Sequence, residues 1–114
     1  MVSLQLQEKW YCQPSNTAIV GAATFSPADD PFAVSFEDYS RDTTVNLHSA
    51  YVAAQQAVAG FAQLPASASR TFIYTGNVLN VTILPQFLES GIGKSGSAHM
   101  MWAASAAYED RGYR

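Results

Sequence analysis

Charge is what this sequence has least of. Asp, Glu, Lys and Arg make up 13% of its 114 residues, about half the ~25% of a typical soluble domain. Three stretches contain none of the four: Thr43 to Ser69, Thr71 to Leu88 and Ser95 to Tyr108. Each is interrupted by Asn, Gln, His or Pro, and none approaches the ~20 consecutive apolar residues of a membrane span. Basic residues are scarcer still. There are six Lys and Arg, no two adjacent, and the net charge is −3, which excludes the clustered basic surface of a nucleic-acid binder. A single cysteine, Cys12, excludes an internal disulfide framework and a Cys-based zinc site. The first residues, Met1 to Gln7, lack the apolar segment of a signal peptide, so the default expectation is a cytoplasmic protein. What is present is an ordinary apolar fraction, 48%, in a chain of single-domain length. So short a chain has little interior. Its long uncharged stretches are therefore expected to be covered by a second copy of the same chain.

Val2, Leu4 and Leu6 alternate with polar residues, the pattern of an edge strand. Residues 17–22 form a short apolar run suited to a buried strand, and 70–75, β-branched and aromatic, suit another. A helix is expected over 36–63. Ser35 stands where it can cap the first amides, Glu37 and Asp38 favour the positive end, and Pro65 lies beyond the stop. Leu47, Tyr51, Ala54, Val58 and Phe61 fall on one face of it. A second helix is expected over 94–109, Ala-rich and ended by Gly112. Strand, helix, strand and helix in that order predict an α/β fold: a partial Rossmann-like three-layer arrangement with a small, mostly parallel sheet and two long helices.

Isolated motifs give little chemistry. Ser90-Gly-Ile-Gly-Lys-Ser95 ends like a phosphate-binding loop, but the required first glycine would be position 88, which is leucine. His48 and His99 are the only histidines, too few and too far apart in sequence for a ligand-spaced metal pair. No metal is expected.

The ordered set says more. Gly21-Ala-Ala-Thr24 ends an apolar run, Val45-Asn46-Leu47 lies in the first helix, Phe72-Ile-Tyr-Thr-Gly-Asn77 follows, and Gly91-Ile-Gly-Lys94 precedes an Ala-rich helix. Together these resemble the central portion of the short-chain dehydrogenase/reductase family, over roughly residues 15–114. The resemblance implies candidate catalytic positions at Asn46 (the asparagine that holds a relay water), Asn77 (the place of the serine), Ser90 (the place of the tyrosine) and Lys94 (the lysine that tunes the tyrosine and binds the nicotinamide ribose). It implies cofactor contacts at Gly21, Ala22, Ala23 and Lys94. Asn77 and Ser90 are 13 apart and Lys94 follows Ser90 by four, the family's intervals.

The departures set the functional expectation. A serine hydroxyl is too weak an acid to stand in for a tuned phenol, and no Gly-rich turn that would cradle a pyrophosphate occurs in the sequence. The chain reads as a single truncated Rossmann-like domain, 1–114. Its expected role is a non-catalytic interaction or binding protein derived from a reductase scaffold. It would need no cofactor and would pair with itself through the helices near 36–63 and 94–109, with Ala50, Ala53, Ala54 and Ala57 permitting close approach. The alternative is an NAD- or NADP-dependent short-chain oxidoreductase with an incomplete or atypical site, acting on a small carbonyl or alcohol.

Overall fold

The computed structural model describes residues 23–114. Ser35 starts the first helix as its sequence predicts. Its hydroxyl oxygen accepts from the Asp38 amide at 3.1 Å, and its backbone is extended, φ −62° and ψ 151°. Helix α1 covers Phe36–Thr43 and α2 covers Ser49–Phe61, joined without a break by a π-helical turn, Thr44–His48. Thr43, Thr44 and Val45 are β-branched, and hydroxyls compete with the amides for the helix carbonyls here. Thr44 donates to Ser40 O at 2.8 Å and Ser49 donates to Val45 O. Such back-bonding loosens the regular ladder, and a π turn absorbs the extra residue. The expected helix over 36–63 is thus one rod with a widened middle, and Asn46 sits in the widening.

Helix α3 covers Leu88–Tyr108, starting six residues before the expected boundary. Pro85 opens a short 3-10 turn, Pro85–Phe87, that runs straight into it, and a proline pre-set for helical φ is a starter at this position rather than a breaker. Gly91 and Gly93 are therefore inside the helix. After a 3-10 turn, Glu109–Arg111, Gly112 ends the rod in the left-handed region at φ 67°, as its sequence predicts.

The two rods pack where side chains are small. A Cβ on Gly93 would stand 3.4 Å from the Asn46 Cβ, and one on Gly96 would stand 3.1 Å from a Leu47 methyl. Ala50 is the buried hydrophobic residue among those described, and Asp42, Glu89 and Ser97 are buried with it. Of the expected apolar face, Leu47 meets α3, and Ala54, Val58 and Phe61 line a hollow shared with the far end of α3. Tyr51 does not follow them: it is turned outward, 57% exposed.

The expected α/β arrangement with a small parallel sheet is not seen among the described residues. Among the described residues there are helices, turns and loops and no strand. Residues 70–75 have no partner strand among the described residues. Among the described residues their ladder-like backbone bonds go to Arg114, its amide donating to Arg70 O at 2.9 Å while the Phe72 amide donates to Arg114 O at 2.7 Å. One such rung does not make a ladder, and β-propensity reflects packing against neighbours more than an intrinsic backbone choice. The expected strands at 2–7 and 17–22 lie outside the described residues. No helix among the described residues is long and apolar enough to cross a membrane.

Candidate functional site

The four positions singled out in the sequence fall into two neighbourhoods on α3 and one separate turn. Ser90 and Lys94 lie one turn apart on that helix. The Ser90 hydroxyl donates to Glu89 Oε2 at 3.2 Å. Asn46, on the π turn, is the residue that faces Gly93, and its side chain also interacts with the Glu89 carboxyl. Asn46 and Ser90 thus converge on Glu89, a residue that no sequence motif marked.

Glu89 is 4% exposed. Burial pushes its carboxyl above the ordinary 4.5, and the nearby Asp42 carboxylate adds to the effect, while Ser90, Asn46 and the Thr24 backbone act the other way. Its Oε1 is buried with no hydrogen-bond partner among the described residues. Asp42, fully buried, is better served. Its Oδ2 accepts from the Thr24 hydroxyl at 2.7 Å, and its Oδ1 takes Arg41 Nε and Nη2, both at 2.9 Å. The signal available in the sequence was an acid in the first turn of an apolar, small-residue helix. Its burial depended on knowing that α3 begins at residue 88.

Lys94 is engaged elsewhere. Its Nζ donates to the Tyr74 hydroxyl at 3.4 Å and lies 5.4 Å from the centre of that ring. Tyr74 donates to Ser97 at 3.1 Å, and Ser97, fully buried, donates to Gly93 O at 2.7 Å. Asn77 is taken by its own chain: its side-chain oxygen accepts from the Leu79 amide at 3.0 Å and caps the turn Val78–Asn80. Ala23 is exposed, and Gly21 and Ala22 lie outside the described residues.

No cluster of three or more His, Cys, Asp or Glu suited to a metal occurs among the described residues. Nor do the described helix starts suit a pyrophosphate. The first turn of α1 carries Glu37 and Asp38, and that of α3 carries the buried Glu89, so each presents carboxyls where an anion needs donors.

Over 106 residues the chain is 45% identical to "Short chain dehydrogenase/reductase dmxR12" from Cryptosporiopsis sp. (strain 8999), an alignment that takes in 93% of this chain and 42% of that protein. The chain is therefore short-chain dehydrogenase/reductase-like over nearly its whole length, and it spans less than half the length of this relative. No family model matches it, and no solved structure matches it.

Proposed function

We propose that these residues form a reductase-derived scaffold that pairs with a second copy of itself and does not itself transfer hydride. One observation carries the reading: the side chains at the positions where the chemistry is expected are engaged with their own surroundings. Ser90 serves Glu89, Lys94 serves Tyr74 and Asn77 serves Leu79. The scaffold then acts by binding, without a nicotinamide cofactor.

The faces turned away from the helix–helix contact support self-pairing. On the π turn and α2 the exposed positions include His48, Tyr51, Val52, Gln55 and Ala59, and on α3 Ile92, Ser95, His99, Trp102 and Ala103. None is an acid, a lysine or an arginine, so two copies can meet without burying an ion. Three of the alanines expected at the contact between copies lie elsewhere. Ala50 is buried within the chain, and Ala54 and Ala57 line the intramolecular hollow. Trp102, 65% exposed, is the better anchor, and in a two-fold interface one change acts twice. Light scattering at micromolar concentration should give twice the monomer mass, and Trp102→Glu should return it to the monomer value. A monomeric mass for the unaltered chain contradicts the pairing.

A second reading, an NAD- or NADP-dependent short-chain oxidoreductase acting on a small carbonyl or alcohol, draws support from the dehydrogenase/reductase name of the relative and from the phenol beside Lys94.

A further inference from the structure

Two carboxyls are buried on different helices, and among the described residues a guanidinium pairs with just one of them, Asp42. Arg41 is shared between Asp42, which also has the Thr24 hydroxyl, and the more exposed Asp38. Glu89, 4% exposed, accepts from Ser90 on Oε2 at 3.2 Å, and the Asn46 side chain and Thr24 backbone also act on its carboxyl, but its Oε1 has no hydrogen-bond partner among the described residues. Ionising both acids would place two like charges in the contact between α1 and α3, with Arg41 as the counter-charge among the described residues. Removing a charge from water without pairing it costs far more than removing a neutral acid.

We propose that Glu89 and Asp42 form a proton-operated latch. Glu89 holds a proton while the first turns of α3 sit against α1 and the π turn, and release of that proton loosens residues 88–97, the segment that carries Ser90 and Lys94. This goes beyond the scaffold reading, because it makes the seating of that segment depend on pH.

The groups around Glu89 set the direction. Among the described residues the titratable and charged groups from α1 are Asp42 and, bound to it, Arg41. The π turn contributes Asn46, the segment before α1 contributes the Thr24 backbone, and α3 itself contributes Ser90. The last three do not titrate. A protonated carboxyl also suits the geometry, since its O–H can be donated to Ser90 Oγ and its carbonyl oxygen is neutral where no donor reaches it. The preference for the neutral acid, due to burial and to Asp42, acts in the same sense. Seating is therefore strongest at mildly acidic pH and weakens as pH rises.

The test is amide hydrogen exchange of residues 90–97 in the full chain, corrected for intrinsic exchange, from about pH 5 to about pH 8. Protection of these amides relative to residues 53–60 should fall by more than about threefold across that range in the unaltered chain. Glu89→Gln keeps the shape of the neutral acid and should abolish the fall, and Asp42→Asn, which removes the facing charge, should reduce it. Constant relative protection in the unaltered chain overturns the latch without any variant. An undiminished fall in a folded Glu89→Gln protein overturns it as well. Neither result bears on pairing between copies, which light scattering reads separately.

Discussion

Lys94 donates to the phenol of Tyr74, 3.4 Å away, and that phenol donates in turn to Ser97 at 3.1 Å. An extended segment is thereby fastened to α3 by a directional chain that ends on Gly93 O. Tyr74→Phe keeps the ring beside the ammonium and removes only the hydroxyl. The loss should be about 1–2 kcal/mol, two modest hydrogen bonds, measured by urea unfolding. Because Ser97 retains Gly93 O as acceptor, no buried donor is orphaned, and a loss well above that range would mean that Tyr74 does more than fasten the segment.

Two glycines of the α3 rod should respond with opposite signs. A Cβ on Gly91 would meet Leu79 O at 3.5 Å, an ordinary contact, so Gly91→Ala should stabilise by about 0.5–1 kcal/mol through reduced freedom of the unfolded chain and better helix propensity. Gly112 holds φ 67°, where a side chain is strained, so Gly112→Ala should destabilise by about 1 kcal/mol. Thermal melts of the two variants check both signs. A stabilising Gly112→Ala would mean that the left-handed cap does not form.

The pH dependence of stability should carry two opposing contributions. Asp38, held below the usual 3.8 by the Ser35 hydroxyl and by Arg41, contributes stability that is present above that value and lost as pH falls through its lower folded value. Being exposed, it is a small contribution, screened by salt. Glu89, pushed above the ordinary 4.5 by burial and Asp42, contributes stability present below that value and lost as pH rises through its higher folded value. The melting temperature should therefore decline on the alkaline side of its maximum. Glu89→Gln should flatten that decline and leave the acid side unchanged.

Helix starts and stops were legible because they are local chemistry. Ser35 and Gly112 each satisfy or release backbone groups within a few residues of themselves. The beginning of α3 was not, because Gly91 and Gly93 look like breakers until a neighbouring helix needs their lack of a side chain, as Gly93 does against Asn46. Residues 70–75 show the opposite failure: strong β-propensity without a partner strand among the described residues gives an irregular segment fastened by Tyr74 and Arg114. At the candidate site, family spacing singled out Ser90 and Lys94, which lie one turn apart on α3. It could not reveal Glu89, whose importance comes from Asp42 on another helix. Of the alanines expected at a contact between copies, Ala50 is buried within the chain and Ala54 and Ala57 line the hollow, since small residues mark close approach without saying whether the partner is the same chain.

The most direct measurement is a calorimetric titration of the purified chain with NADPH. The scaffold reading predicts no binding at low micromolar concentration. Neither described helix start offers free donors to a pyrophosphate, and Lys94, a single half-buried ammonium beside a phenol, gives little affinity by itself. A dissociation constant in the low micromolar range, lost on Lys94→Ala, would contradict the account and put the short-chain oxidoreductase first.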